Sequence, residues 1–137
     1  DTIDALSKLH IPETKAIEIE ILELINNHRI TIGLSPLEKM SAIKAQAYDH
    51  TDYMIDNNQI SHDNFIRRSN NLKNNPGALR VSENVAYAYS SPTSVVNAWL
   101  RSEGHKNVIE GDFTYFDISA EKDKDDKWYF TNIFIKK

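Results

Sequence analysis

The hydrophobic pattern changes its period along this chain, and this change restricts the folds that the chain can adopt. Apolar residues recur at helical spacing from Thr14, from about Ser41 and again after Ser91. Towards the C-terminus, apolar and polar residues alternate over 115–120, and a β-branched and aromatic run covers 128–135. Helices followed by a β-hairpin predict an α+β domain.

Turn and capping residues predict where the three helices begin and end. The first helix should end near Gly33, and the second at the Asn pair 57–58. Ser91 can cap the third helix, and Gly104 is its expected end. The segment 60–77 is rich in Asn and ends in Pro-Gly, which predicts a loop with at most one short helical turn.

The length and composition of the chain fit one domain. With 137 residues, of which 40% are hydrophobic and 26% charged, the chain can bury about two thirds of its unfolded surface. Residues 1–13 show no clear period and predict an N-terminal arm. Residues 14–137 predict the domain itself, with a further strand expected over 81–86.

The charge of the chain and its lack of cysteine exclude several classes of function. A net charge of -4 argues against nucleic acid as a partner, because such binding depends on clustered Lys and Arg. Without Cys, any metal must be held by His, Asp or Glu. No apolar run reaches the ~20 residues of a transmembrane segment. A start at Asp1 without Met is typical of a secreted or cell-surface chain whose leader or lipid anchor is missing from these residues.

Two His and two Glu lie at the edges of predicted elements, where their side chains can converge in one cleft. His62 begins the Asn-rich segment, Glu83 lies in the predicted strand, and Glu103 and His105 follow the third helix. Neutral imidazoles ligate Zn²⁺ or another divalent cation, and a carboxylate can act as general base. Glu103 and His105 would diverge on a continuous helix, so both face one cleft only if Gly104 ends the helix between them.

Each of these residues also has a structural interpretation. His62 and His105 can be solvated surface side chains, and Glu83 can accept backbone N–H bonds in a buried turn. Two other polar or aromatic residues are interpreted as structural. His50 lies on the apolar face of the second helix and is expected to be a hydrogen-bonded core residue, and Trp99 lies on the apolar stripe of the third helix.

Three motifs occur in an order and spacing that resemble the CAP superfamily, which includes cysteine-rich secretory, antigen 5 and pathogenesis-related 1 proteins. They are Ile60-Ser61-His62, then Ser82-Glu83-Asn84-Val85-Ala86-Tyr87, then Trp99 followed by Ser102, Gly104, His105 and Asn107. The first helix is also similar to the opening segment of that family. The lack of cysteine looks like the short bacterial branch.

The resemblance implies a three-layer α-β-α sandwich with a small, mainly antiparallel sheet. It also implies a central cleft in which His62, Glu83 and His105 bind Zn²⁺ or another divalent cation. The family's second Glu has no direct counterpart, because Ser102 stands at its position, so Glu103 is the candidate one residue later. Catalytic residues stay undefined, with Glu83 and Glu103 as candidates.

Three functions fit this sequence. The leading hypothesis is a non-catalytic extracellular or cell-envelope domain whose cleft binds a divalent cation and a small or lipidic ligand, since several relatives bind sterols or fatty acids. The second is a metal-dependent, protease-like hydrolase in which bound Zn²⁺ activates water. The third is a protein-interaction domain with a vestigial cleft, which contacts a host or envelope protein.

Overall fold

Helices and strands alternate along the part of the chain that the structure, a computed structural model, describes, which is residues 9–137. The helices are α1 (Ala16–Thr31), α2 (Ser41–Asp56), α3 (Phe65–Asn74), α4 (Pro92–Leu100) and α5 (Glu103–Ile109). The strands are β1 (Glu38–Lys39), β2 (Arg80–Tyr87), β3 (Tyr115–Lys122) and β4 (Trp128–Lys136). The α+β class is confirmed, and the first eight residues of the predicted arm lie outside the described residues.

The four strands form one sheet in the order β1-β3-β4-β2. Strands β3 and β4 form an antiparallel hairpin, and β4 pairs antiparallel with β2 on its other side. Only two residues of β1 pair with β3, and they do so in parallel. The sheet is therefore small and mainly antiparallel, as predicted, and β2 lies at one of its two edges.

Helices cover both faces of the sheet. On one face, Phe130 and Phe134 of β4 pack against α1 and against Trp99 of α4, whose side chain is buried as expected. On the other face, Ile133 and Ile135 pack against α2 and α3. This alternation divides the core into two layers of side chains, and the predicted three-layer α-β-α sandwich is confirmed.

The expected loop over 60–77 is wrong, because ten of its residues form α3. The buried face of α3 consists of Arg68, Ser69 and Leu72. Only Leu72 is apolar, so the hydrophobic pattern carries almost no sign of this helix. The polar contacts of Arg68 hold the helix, together with the packing of Leu72.

The expected helix end at Gly104 is also wrong. Helix α4 ends at Leu100, the chain turns at Arg101 and Ser102, and α5 then begins at Glu103 and runs through Gly104. A glycine inside a helix costs about 1 kcal/mol relative to alanine, which is too little to stop a helix that other contacts support. The break therefore lies at Arg101 and Ser102, before the glycine.

Side chains cover the edge of β3 that the short β1 leaves open. Lys44 Nζ donates to the carbonyl of Ile118 at 2.8 Å, and the amide of Ala120 donates to Glu18 Oε2 at 2.8 Å. The amide of Ile118 donates to Asp117 Oδ1 at 2.9 Å. Lys44 Nζ lies 2.6 Å from Glu18 Oε2, with both side chains buried. A buried ion pair between α1 and α2 thus takes the place of a neighbouring strand.

Candidate functional site

Glu83 is the buried centre of the candidate site. Its side chain is 1% exposed. Arg68 of α3 donates two hydrogen bonds to it, from Nε to Oε1 and from Nη2 to Oε2, both at 2.8 Å. Burial acts to raise the pKa of Glu83, but hydrogen bonds from His62 and Arg68 outweigh it and hold this pKa below its usual value. Glu83 is therefore an ionised carboxylate at neutral pH, and both of its oxygens are engaged.

His62 connects this buried carboxylate to solvent. Its Nδ1 lies 2.8 Å from Glu83 Oε2, while 53% of its side chain is exposed. A carboxylate can only accept, so Nδ1 carries the proton, and the tautomer that this hydrogen bond selects has its lone pair on Nε2. A cavity of about 280 Å³ lies next to the pair and is lined also by Phe65, Val81 and Val108. Arg68, Glu83 and His62 thus form a chain that fixes the tautomer of His62.

His105 lies on α5, within range of an electrostatic interaction with His62. Its Nδ1 lies 2.9 Å from Ser102 Oγ, and its backbone carbonyl accepts a 3.1 Å bond from Asn84 Nδ2, which ties α5 to β2. Burial lowers the pKa of His105, and repulsion from the charged form of His62 lowers this pKa further. His105 is therefore a neutral imidazole at neutral pH, and Nε2 is the nitrogen left without a hydrogen-bond partner among residues 9–137.

Glu103 stands apart from the other three candidates. It is exposed in the first turn of α5, and this helix is continuous through Gly104. Two residues apart on an α-helix, Glu103 and His105 project about 200° from each other. Within residues 9–137, no group of three or more His, Cys, Asp or Glu side chains is arranged to hold a metal ion.

A comparison with known protein families identifies the family of this chain. The profile of the cysteine-rich secretory protein family, CAP, matches residues 22–134. The chain belongs to the CAP family. The expected family and the expected fold are thus confirmed together, and the Glu83 and His105 motifs lie inside the matched region.

Two relatives of this CAP domain come from Bacillus subtilis. The protein named "Uncharacterized membrane protein YlbC" is 32% identical over 126 residues, which are 88% of this chain and 34% of YlbC. The protein named "Uncharacterized protein YkwD" is 31% identical over 107 residues, which are 75% of this chain and 42% of YkwD. The CAP domain therefore spans well under half of these relatives.

Solved bacterial structures share the fold. An outer surface protein from Borrelia burgdorferi aligns with a TM-score of 0.82 at 24% identity, covering 93% of this chain and 98% of that one. An extracellular protein containing an SCP domain from Bacillus anthracis aligns with a TM-score of 0.76 at 26% identity, covering 92% of this chain and 45% of that one. Among the residues that the structure describes, no helix has the length and apolarity to cross a membrane.

Arg68 is the residue of the CAP domain's site that sequence analysis missed. It lies in the segment expected to be a loop, where an Arg is normally solvated. In the structure it is 3% exposed and also donates to the carbonyl of Asp63 at 2.6 Å. The two adjacent arginines 67 and 68 were a weak signal, since a carboxylate in a buried strand needs a cationic partner.

His50 lies behind the site, and its interpretation as a hydrogen-bonded core residue is confirmed. It is 1% exposed, and its Nε2 donates to the carbonyl of Ser61 at 2.6 Å. The same nitrogen lies 4.0 Å from Glu83 Oε2. Among residues 9–137, its Nδ1 has no hydrogen-bond partner. Burial lowers the pKa of His50, so the ring is neutral in the folded domain.

We expect His50 to make the domain less stable below about pH 6.5, the usual pKa of an unfolded His. Because the folded-state pKa of His50 is lower, the unfolded chain binds one more proton between these two values. The free energy of unfolding therefore falls as the pH falls through this window, by at most about 1.4 kcal/mol per pH unit. Urea unfolding between about pH 7 and about pH 5 measures this slope.

The variant His50→Gln keeps an amide donor for the Ser61 carbonyl and cannot titrate, so it should flatten part of the slope. The pKa of His105 is lowered as well, so part of the pH dependence of unfolding should remain in the His50→Gln variant. His10→Gln is the control, because His10 is exposed. If the slope of His50→Gln equals that of the unchanged protein, the pH dependence does not come from His50.

Proposed function

We propose that this chain is an extracellular or cell-envelope CAP domain whose cleft binds a divalent cation and a small polar ligand through His62 and His105. The observation that carries the proposal is the series of hydrogen bonds from Arg68 to Glu83 and from His62 to Glu83. It fixes one tautomer of the exposed His62 imidazole. The location outside the cytoplasm is supported by relatives whose names describe an outer surface protein and an extracellular protein.

The residues of the cleft fit a divalent cation such as Zn²⁺ in part. His62 and His105 are the residues that would hold it, each through Nε2, because their Nδ1 atoms are bonded to Glu83 and Ser102. Glu83 fits the role of a partner that orients a ligating His, a common arrangement around zinc. Its oxygens are occupied by Arg68 and His62, so it is not proposed as a ligand. A bound cation would supply a positive centre for anionic or carbonyl groups.

A hydrolase that uses Glu83 as its general base is less well supported. A general base must hold a lone pair free to take a proton at the working pH. Glu83 has a pKa held below its usual value and already accepts three hydrogen bonds, two from Arg68 and one from His62. These contacts favour a positioning role for Glu83 and a binding function for the cleft.

Binding of a lipid or sterol-like ligand stays a prediction. An apolar groove that could hold such a ligand lies away from the cleft with His62. A groove of about 480 Å³ runs between α1 and β1 and is lined by apolar side chains that include Ile19, Ile30 and Phe116. None of its lining residues belongs to the cleft with His62. We therefore assign a polar ligand to the cleft and keep the lipid outside this proposal.

The proposal predicts that the metal-stripped protein binds Zn²⁺ near neutral pH and that His62→Ala with His105→Ala abolishes the binding heat in isothermal titration. His62→Ala alone should weaken binding by at least about tenfold, since one of two imidazole ligands is lost. Acidification should release the ion, because ligation requires neutral imidazole.

His10→Ala is the matched control, because it removes an exposed His from the arm and leaves the cleft unchanged. It should bind Zn²⁺ as the unchanged protein does. If the double variant binds Zn²⁺ as tightly as the His10→Ala variant, the cleft is not the metal site and the proposal fails.

A further inference from the structure

The outer edge of β2 has backbone groups that face away from the sheet. In an antiparallel strand, alternate residues point their N–H and C=O groups to opposite sides. The amide of Ala88, just after β2, donates to the carbonyl of Trp128, so even-numbered residues of β2 pair with β4. The carbonyl of Val85 accordingly points outward, where Trp99 Nε1 donates to it at 3.1 Å.

Val81 and Glu83 point their backbone groups the same way as Val85. Among residues 9–137 these groups have no hydrogen-bond partner, and no strand pairs with this side of β2. The opposite edge of the sheet differs, because Glu18 and Lys44 cover the outward groups of β3 there. Within the described part of the chain, only one edge of this sheet is thus open to a further strand.

A groove of about 670 Å³ follows the open edge. It is lined by Phe65, Ser69 and Lys73 from α3 on one side, and by Asn107 and Val108 from α5 on the other. It shares Phe65 and Val108 with the cavity beside His62, so the two spaces are continuous. The groove therefore leads along β2 to the candidate cleft.

The end of the groove away from His62 is positively charged. Lys73 is exposed and forms no ion pair within residues 9–137. Arg80 lies over the Phe113 ring and donates to the backbone carbonyl of Asp112 at 2.7 Å, and within the same residues no carboxylate oxygen forms an ion pair with it. Asp112 is the acidic residue of the lining, and it is bound to Lys136 at 3.0 Å. The groove thus complements an acidic group.

We propose that an extended peptide with an acidic side chain binds as an added strand on the open edge of β2. Its backbone pairs with Val81 and Glu83, its acidic side chain contacts Lys73 and Arg80, and its other end passes His62. Added strands gain affinity from main-chain hydrogen bonds and specificity from side-chain pockets. The inference deepens the proposed function, on which it rests for the part played by His62, by naming the class of ligand.

The test uses a fluorescein-labelled, end-blocked peptide of roughly eight residues that alternates Thr and Val around a central Glu. Fluorescence polarisation should show saturable binding. Two matched peptides should bind at least about tenfold more weakly: one with Lys in place of Glu, and one with N-methyl groups on the amides that would face β2. Hydrogen exchange of the Val81 and Glu83 amides should slow when the acidic peptide is bound.

Two variants locate the binding. Lys73→Glu changes an exposed residue and should weaken the acidic peptide about tenfold while it improves the Lys peptide. Val81→Pro removes an outward N–H and no bond to β4, so it should block pairing in a folded domain. The inference is overturned if the acidic peptide does not bind, if acidic and Lys peptides bind equally, or if Lys73→Glu changes nothing.

The Zn²⁺ titration separates this inference from the proposed function. His62→Ala with His105→Ala should abolish Zn²⁺ binding and should weaken the acidic peptide less than Lys73→Glu does, because β2, Lys73 and Arg80 provide most of the peptide contacts. Peptide binding without any Zn²⁺ binding overturns the proposed metal site alone. Zn²⁺ binding without peptide binding overturns the added strand alone.

Discussion

Replacing Arg68 with Met should lower the free energy of unfolding by about 3–5 kcal/mol. The variant leaves Glu83 ionised and buried, with only His62 as a partner, and an uncompensated buried charge is far more costly than the loss of a surface pair. Urea unfolding near neutral pH measures the effect. Zn²⁺ binding should weaken as well, by about tenfold, because the carboxylate that orients His62 is no longer held.

Two further variants show whether the unpaired charge is the cause. Arg67→Met changes the exposed neighbour on the same helix and should stay within about 0.5 kcal/mol of the unchanged protein. Arg68→Met combined with Glu83→Leu removes both charges and should be more stable than Arg68→Met alone. If Arg68→Met and Arg67→Met have the same small effect, the Arg68-Glu83 pair is not a structural element of the site.

The pH dependence of the Arg68→Met effect has a definite sign. The pKa of Glu83 is depressed in the folded protein, so its ionisation stabilises the fold above the unfolded pKa of about 4.3. This contribution disappears as the pH falls through the folded-state pKa. The difference between Arg68→Met and the unchanged protein should therefore be largest near neutral pH and smaller at acidic pH.

Replacing Lys44 with Met should lower the free energy of unfolding by a similar amount, about 3–5 kcal/mol. The variant leaves the buried Glu18 carboxylate with backbone amides of Lys15 and Ala120 but without a cation. It also leaves the carbonyl of Ile118 without the bond from Lys44 at the edge of β3. Thermal or urea unfolding measures the loss.

Lys106→Met, an exposed change on α5, is the control and should have little effect. The double variant Lys44→Met with Glu18→Gln removes both charges and keeps an acceptor for the amide of Ala120, so it should regain part of the stability. A Lys44→Met variant as stable as Lys106→Met would mean that the ion pair does not support the sheet edge.

The predicted fold rested on elements whose buried residues are apolar. Helix α2 and the β3–β4 hairpin have apolar residues at the spacing of helix and strand, and their limits came close to those observed. Helix α3 was not predicted, because its buried face depends on Arg68, which pairs with Glu83 on strand β2. A pattern of single residues does not show such a pair, since the partner is distant in sequence.

The candidate site was predicted in a similar way. His62, Glu83 and His105 were found as residues of family motifs, but their contacts depend on long-range geometry. The motif did not show that Glu83 is already bound by Arg68, nor that α5 begins one residue before Gly104. The type of residue at position 83, a glutamate, led to the expected roles of metal ligand and general base. Its positioning role is seen only in the structure, because Arg68 and His62 occupy both of its carboxylate oxygens.

The pairing of β2 with β4 has a consequence for how the cleft forms. Glu83 lies on β2, and β2 takes its hydrogen-bonded neighbour from a strand that follows it in sequence after α4, α5 and β3. Contacts between distant segments form slowly, because the intervening chain must lose entropy before the pairing stabilises it. Helices α3 and α5 have ten and seven residues and are too short to persist alone, so they become ordered with the sheet, and the tautomer of His62 is fixed only when β4 has docked. We therefore expect assembly of the cleft to be a late event in folding, limited by strand pairing.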